Sequence, residues 1–248
     1  MDKSNAIRTT WLAALLLTAP LVKAAEETAH IEHAGVNIED VAALQRGAKL
    51  FVNYCLSCHG ADYMRYNRLS EDLDLSEEVV MDNLVFADAK IGDTMKIAMR
   101  DDDAQRWFGK APPDLSLAGR SRGADWLYAY MRGFYQDDSG GWNNTVLPNA
   151  AMPHVLWRLQ GIQTPVYHTV TQGGMELRKI DHLELTTPGL LSPEEYDDTV
   201  RDLVTYLDYL GEPAKLKRKN IGIWVMLFLA VFAFLAYLLK AEYWRDIH

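Results

Sequence analysis

Two cysteines, Cys55 and Cys58, are separated by two residues, and His59 follows the second cysteine directly. One helical turn can present both sulfurs on the same side, and the next residue then directs its imidazole to that side. Cys-x-x-Cys-His is the attachment signature of c-type haem, in which two thioethers hold the porphyrin and the histidine binds the iron. The motif therefore predicts one covalently bound haem c on Cys55 and Cys58, with His59 as an axial ligand.

Two other uses of a Cys-x-x-Cys pair agree less well with the chain. A zinc ribbon needs a second pair of cysteines, but the sequence contains two cysteines in all. A thioredoxin-like dithiol is expected after a strand and does not require a histidine next to it. Because the motif uses both cysteines, the fold must depend on its apolar core, and a haem would form part of that core.

Residues 1–24 have the pattern of a secretory signal peptide. Lys3 and Arg8 form a basic start, a short apolar run follows, and Val22 and Ala24 occupy the positions of a cleavage site. We expect the mature chain to begin near residue 25. Retention of this segment as a membrane anchor is the less favoured alternative, because the apolar run is too short for a stable span.

Residues 221–239 form a run of 19 positions without a charged or strongly polar side chain. As a helix this run would be roughly 28 Å long, close to the hydrocarbon thickness of a bilayer. Aromatic residues lie near both of its edges, as interfacial anchors do. We predict a transmembrane helix there, within an anchor that comprises residues 215–248. The alternative, a buried core helix, is rarely apolar on all sides.

The orientation of this anchor needs an argument, because more basic residues precede the span than follow it. A simple positive-inside count would put the preceding side in the cytoplasm. Long exported domains translocate largely regardless of charge, and covalent haem attachment in bacteria takes place outside the cytoplasmic membrane. We therefore expect residues 25–214 in the periplasm, with the anchor in the bacterial inner membrane and a short cytoplasmic tail.

The formal net charge of −9 is unevenly distributed along the chain. Residues 1–24 carry a net +2 and residues 215–248 a net +4, so residues 25–214 carry −15. This charge argues against nucleic acid as a partner and favours a basic protein. The alternative is that the charge only keeps the domain soluble.

Two amphipathic patterns mark the beginning and the end of the predicted domain. The first begins near Asn37, as an N-cap with Asp40 at N3, and continues into the cysteine motif. The second begins at Ser192, where a proline follows directly and Glu195 completes a capping box, and ends at Gly211. Two such helices crossing beside a haem predict a mainly α, class I cytochrome c-like domain.

The region between these helices is expected to contain insertions rather than repeats. Short helices are predicted at 76–81, at 93–99, from Asp101 and at 126–134. Residues 135–191 are rich in glycine and proline and predict a long loop with a short hairpin around Tyr167–Leu185. So long a loop is usually functional or covers part of the domain.

A low-spin haem needs a second axial ligand. Met152 lies in a loop bracketed by Pro148 and Pro153, far enough downstream to approach the open face of the haem. Other methionines are too close to the motif, at core spacing or in the predicted span. We predict Met152 as the ligand, with Met175 and His154 as alternatives. Methionine ligation would raise the reduction potential relative to a bis-histidine site.

Together these features resemble the cytochrome c1 family, the membrane-anchored haem subunits of cytochrome bc1 complexes, in a bacterial version. The resemblance extends from about Gly35 to the end of the chain. The stretches that carry it are Cys-Leu-Ser-Cys-His-Gly-Ala-Asp-Tyr-Met-Arg-Tyr at 55–66, Ala-Pro-Pro-Asp-Leu-Ser-Leu at 111–117 followed by Arg120 and Arg122, Ala-Met-Pro at 151–153, and the anchor.

The resemblance implies a role for each matching residue. The implied thioether residues are Cys55 and Cys58, the implied axial ligands are His59 and Met152, and the implied haem contacts are Arg122 with a propionate and Pro113 with the haem face. An arginine beside a propionate makes charge-assisted hydrogen bonds. The alternatives are a solvated Arg122 and an ordinary loop proline at Pro113. One departure from the family is His154, which follows Pro153 where a further proline is common.

The resemblance also implies a function and partners. The chain would pass single electrons from a Rieske iron–sulfur protein to a soluble or membrane-bound cytochrome c, beside cytochrome b in a dimeric complex, with no independent catalysis. Acidic runs on its surface would steer a basic acceptor towards it. Two alternatives are a membrane-tethered c-type cytochrome that feeds a terminal oxidase, and a haem enzyme or sensor with an open sixth position.

Overall fold

Helices account for most of the regular secondary structure of the described residues. The computed structural model describes residues 31–86, 88–172 and 175–245, so the predicted signal peptide at 1–24 lies outside the described residues. From Glu32 onward the described residues belong to one compact unit.

The elements follow one another along the chain as a series of helices interrupted by short strands. The helices are α1 (Val41–Tyr54), α2 (Tyr66–Asp72), α3 (Glu77–Leu84), α4 (Asp101–Phe108), α5 (Ala118–Arg122), α6 (Ala124–Arg132), α7 (Trp157–Gln160), α8 (Pro193–Gly211) and α9 (Lys215–Trp244). The strands are β1 (Ala61–Arg65), β2 (Thr94–Met95), β3 (Phe134–Gln136), β4 (Trp142–Asn144), β5 (Gly161–Gln172) and β6 (Met175–Pro188). Within the described ranges the strands pair as β1–β2, β3–β4 and β5–β6, each antiparallel.

Helices α1 and α8 pack directly against each other. Gly47 permits the close approach, because a Cβ atom there would lie 2.2 Å from the carbonyl oxygen of Asp202. Phe51 packs on Tyr206 with ring centroids 5.4 Å apart, and Arg46 donates two hydrogen bonds to the Asp202 carboxylate at 2.5 and 2.8 Å. The predicted packing of the first and last helices of the domain is confirmed by these contacts.

The starts of these two helices differ in how well the sequence predicted them. The capping box of α8 is present, with the Ser192 and Glu195 side chains each accepting a hydrogen bond from the other residue's backbone N–H. The N-cap of α1 is Asp40, whose carboxylate accepts from the N–H three residues on. The prediction of Asn37 as N-cap is wrong: its side chain accepts from the Glu39 N–H and forms a turn before the helix.

The predicted helix at 93–99 is wrong. Thr94–Met95 forms β2 and pairs with β1. The Asp93 carbonyl accepts a hydrogen bond from the N–H of Tyr66, and Met95 is fully buried. Pairing with a distant strand therefore overrides the local helical spacing.

The predicted long loop at 135–191 contains a larger hairpin than expected. Strand β5 pairs along its 12 residues with β6, and two register shifts accommodate the greater length of β6. At the base of the hairpin Gly161 has φ +97°, and a Cβ there would lie 2.1 Å from the Thr187 carbonyl oxygen. Gly161 and Pro188, two of the residues that indicated a loop, thus lie opposite each other at the base of a β ribbon.

Helix α9 continues beyond both ends of the predicted span. It has 30 residues, roughly 45 Å at 1.5 Å per residue, and its most apolar window has a mean hydropathy of 2.5. None of that window is buried against the rest of the chain; Phe228, for example, is 67% exposed. By length and composition α9 can cross a membrane, and its exposure excludes the core-helix alternative.

Candidate haem site

The cysteine motif forms one turn at the end of α1. The N–H of Cys55 donates to the Phe51 carbonyl at 2.8 Å, and the N–H groups of Cys58 and His59 both donate back to the Cys55 carbonyl at 3.0 and 2.8 Å. Cys55 is buried and Cys58 is partly exposed, and both are free thiols. Backbone hydrogen bonds therefore place Cys55, Cys58 and His59 within one turn, and the common direction of their side chains stays a prediction.

The His59 ring is fixed by a residue far along the chain. Its Nδ1 lies 2.7 Å from the Pro113 carbonyl oxygen, an acceptor, so Nδ1 carries the proton and Nε2 keeps its lone pair for a metal. Burial lowers the pKa of His59, and the Pro113 carbonyl partly opposes this effect. A neutral imidazole is the form that ligates iron. Sequence reasoning gave Pro113 a packing role and missed its carbonyl.

The segment that supplies Pro113 is held in place by side chains of the Pro-Pro-Asp-Leu-Ser stretch. The Asp114 carboxylate accepts from the Asp62 N–H at 2.9 Å and from the Ser116 N–H at 2.8 Å. The Ser116 hydroxyl, which is buried, accepts from the Tyr63 N–H at 3.1 Å. These bonds join residues 113–116 to the chain just after His59. The Asp-x-Ser spacing of an Asx turn was the signal that could have predicted this role.

Met152 lies in the loop between β4 and α7, partly buried against the core. Its Sδ is 3.6 Å from the hydroxyl of Tyr130 on α6. The loop begins at the buried Asn144, whose amide donates to the Tyr130 carbonyl at 2.8 Å and whose oxygen accepts from Val146 N–H at 2.8 Å. Asn144 thus ties the loop of Met152 to the helix that carries Tyr130. The sequence-based prediction did not identify Tyr130 or Asn144 as residues that contact or support the loop of Met152.

Arg122 is connected to the same group of residues. Its guanidinium lies 4.9 Å from the centroid of the Trp126 ring, and Trp126 stacks on Tyr130 with centroids 5.0 Å apart. The predicted site residues thus fall into two groups of contacts, one around His59 and Pro113 and one from Arg122 to Met152. Arg122 is exposed, and its contact with a propionate stays a prediction.

The alternative ligand His154 is buried and packs against two aromatic rings. Its ring is 2% exposed, stacks on Phe134 with centroids 5.0 Å apart, and meets Trp142 edge-on at 5.3 Å. Burial lowers the pKa of His154 to about 4, although Gln160 acts in the opposite direction. Met175, the other alternative, is the first residue of β6 at the turn of the hairpin. Both ring nitrogens of His154 are buried without a hydrogen-bond partner, and the choice of Met152 over His154 and Met175 stays a prediction.

The residues present fit a c-type haem better than the other uses of a cysteine pair. Burial raises the pKa of the Cys55 thiol to about 12, the opposite of the thiolate that a redox dithiol needs. In the part of the chain that the structure describes, no group of three or more His, Cys, Asp or Glu side chains could hold a metal ion. Two thiols and a neutral imidazole on one turn suit the attachment of a c-type haem, and ligation by Met152, which lies in the other group of contacts, stays a prediction.

Comparison with known proteins decides the family. The model of the Cytochrome C1 family matches residues 33–247. The chain belongs to the cytochrome c1 family. Membership supports an electron-transfer role in a cytochrome bc1 complex and implies a c-type haem.

Individual relatives of this cytochrome c1 family member cover nearly the whole chain. Cytochrome c1 of Allochromatium vinosum is 49% identical over 240 residues, which is 96% of this chain and 98% of the relative. The ammonia monooxygenase gamma subunit of Nitrosomonas europaea is 47% identical over 239 residues, 96% of this chain and 97% of the relative. Cytochrome b/c1 of Bradyrhizobium diazoefficiens is 30% identical over 84% of this chain, and the match covers 34% of that protein.

Proposed function

We propose that this chain is the cytochrome c1 subunit of a quinol–cytochrome c oxidoreductase and binds one haem through Cys55 and Cys58, with His59 and Met152 as axial ligands. The observation that carries the proposal is the Nδ1 contact of His59 with the Pro113 carbonyl at 2.7 Å, because it leaves Nε2 as the metal-binding nitrogen. A bound haem supplies an iron that takes up and releases single electrons.

The chain's own residues then have distinct tasks. The thiols of Cys55 and Cys58 would hold the porphyrin at the end of α1, while the Pro113 carbonyl keeps the His59 ring at one rotation. As a ligand, the Met152 thioether would be a weaker donor than imidazole and would favour the reduced iron and a higher potential. Arg122 is the residue that would pair with a propionate, and the exposed Pro113 ring would lie against the haem face.

The partners of this site follow from the family and from charge. We infer that a Rieske iron–sulfur protein donates the electron and that a basic cytochrome c accepts it, attracted by the net −15 of residues 25–214. Helix α9 would anchor the periplasmic haem domain in the inner membrane beside cytochrome b, in a dimeric complex. The relative named cytochrome b/c1 supports this neighbour, because this chain matches 34% of its length.

Replacement of Met152 tests the ligand assignment. In Met152→Leu we expect the far-red Met–Fe(III) charge-transfer band to disappear and the potential to fall by on the order of 0.1 V, part of the ~0.8 V that axial ligands span. Met99→Leu, in the loop before α4, should keep both properties. Persistence of the band in Met152→Leu would refute the assignment of Met152 as an axial ligand. After acid unfolding, the wild-type chain should retain the mass of one haem.

The identity of the complex needs a separate experiment. A relative at 47% identity is named as an ammonia monooxygenase subunit, and a tethered cytochrome that feeds a terminal oxidase would share the same haem chemistry. Gentle solubilisation of the membranes followed by purification on a tag should bring down a b-type cytochrome and an iron–sulfur protein. Recovery of a monooxygenase or a terminal oxidase instead would refute the bc1 proposal while leaving the haem assignment intact.

A further inference from the structure

The ring of Tyr130 on α6 is packed between other aromatic rings. Trp126 stacks on it with centroids 5.0 Å apart and an interplanar angle of 9°, and Phe134 meets it edge-on at 5.0 Å. Only 8% of the residue is exposed, and Asn144 binds its backbone carbonyl. The position of the Tyr130 hydroxyl is therefore set by packing rather than by the loop that it contacts.

The hydroxyl of Tyr130 points at the sulfur of Met152, 3.6 Å away. A thioether sulfur is a weak hydrogen-bond acceptor with two lone pairs. If one lone pair binds a metal, the other stays available to the O–H group. A hydrogen bond to sulfur withdraws electron density from it, so the sulfur donates less to the metal.

We propose that Tyr130 is a positioning residue for the axial methionine. The Tyr130 O–H group donates a hydrogen bond to the Met152 sulfur and thereby raises the haem potential. The proposal rests on the proposed role of Met152 as a ligand. The sign follows from charge: oxidised iron depends more on donation from sulfur than reduced iron does. A donor that weakens this donation therefore destabilises the oxidised state more than the reduced state.

The chain contains its own control for this contact. The hydroxyl of Tyr206 on α8 lies 3.5 Å from the sulfur of Met95, and both residues are fully buried in the core. The pair has the same chemistry as Tyr130 and Met152 without the proposed ligand. Removal of the Tyr206 hydroxyl reports what the loss of a buried Tyr–Met contact does to the protein in general.

The experiment compares Tyr130→Phe and Tyr206→Phe in the full-length holoprotein. Phenylalanine keeps the ring that Trp126 and Phe134 contact and removes only the donor. In Tyr130→Phe we expect the far-red Met–Fe(III) band to remain. At a fixed solution potential the ratio of reduced to oxidised haem should fall about threefold, which is about 28 mV at 59 mV per decade for one electron. The Tyr206 hydroxyl interacts electrostatically with Cys55, so Tyr206→Phe should change the ratio by less than Tyr130→Phe does.

A variant with the opposite effect keeps the proposal testable if Tyr130→Phe does not fold. A fluorotyrosine at position 130 has a more acidic hydroxyl and donates more strongly, so the ratio should rise. An unchanged ratio in the Tyr130 variants, or an equal change in Tyr206→Phe, overturns the role of Tyr130. Failure of the ligand assignment is distinct, because Met152→Leu would then keep the far-red band.

Discussion

At the scale of single residues, the site depends on how the backbone of Pro113 presents its carbonyl to His59. Two consecutive prolines, Pro112 and Pro113, restrict the backbone there and reduce the entropy that is lost when the segment is ordered. The hydrogen bond at 2.7 Å fixes the rotation of the imidazole and makes Nε2 more basic. A carbonyl is well suited to this task because it can only accept, so it selects one tautomer.

Replacement of Asp114 by alanine tests whether the side chains around this segment support the site. The change removes acceptors for the N–H groups of Asp62 and Ser116. Because Asp114 is exposed, we expect the free energy of unfolding to fall by only about 1 kcal/mol, the lower part of what two hydrogen bonds contribute. Denaturant unfolding of the holoprotein measures it. The control is Glu176→Ala, an exposed carboxylate on β6; equal losses in both variants would contradict the idea.

At the scale of elements, the order of the chain was partly readable from the sequence. The capping box at Ser192 and the helix after it were predicted correctly, because side-chain caps are local signals. The β2 pairing of Thr94–Met95 was not predicted, and the hairpin expected around Tyr167–Leu185 was predicted too short, because strand pairing depends on partners that lie far away or beyond a turn. The same reason explains the contacts of Pro113 and Tyr130 that sequence reasoning missed.

At the crossing of α1 and α8, packing and helix propensity predict opposite changes in stability for Gly47→Ala. Alanine is the better helix former by about 1 kcal/mol, so propensity alone predicts that Gly47→Ala stabilises the protein. Its Cβ, however, would lie 2.2 Å from the Asp202 carbonyl oxygen and 2.7 Å from the Tyr206 Cβ. Overpacking against backbone costs ~1–3 kcal/mol or more, so we expect a net loss of stability.

Thermal unfolding of the holoprotein measures the effect of Gly47→Ala. The matched control is Gly92→Ala, because a Cβ at Gly92 has no neighbouring atom within 4 Å. That variant should unfold within a few degrees of the wild type. A melting temperature for Gly47→Ala at or above the wild-type value would mean that α1 and α8 can separate without cost.

At the scale of the whole molecule, three of the basic residues before the apolar span form ion pairs with carboxylates of the same chain. Lys215 pairs with Asp208 at 2.9 Å, and Arg218 pairs with Glu212. Lys217 lies 3.8 Å from Asp72, whose side chain is 3% exposed. Each of these three cations has a carboxylate of residues 25–214 beside it, so the charge of these three is largely offset. This pairing gives a physical reason to expect that a simple positive-inside count does not decide the orientation of the anchor.

A chain that ends after Pro213 tests how far the haem domain depends on α9. The lost pairs of Lys215 and Arg218 are largely exposed on the cationic side and contribute at most about 1 kcal/mol each. Asp72 keeps its ion pair with Arg68 at 2.9 Å and its hydrogen bond from Tyr209 at 3.0 Å.

We therefore expect the truncated chain to fold, to retain covalent haem with an unchanged spectrum, and to move from the detergent phase to the aqueous phase in a phase-separation assay. The full-length holoprotein, partitioned in parallel, should stay in the detergent phase, because the apolar side chains of residues 221–239 remain exposed. A truncated chain that stays in the detergent phase would place the membrane contact outside α9. Loss of haem on truncation would instead show that the anchor helps to hold the domain together.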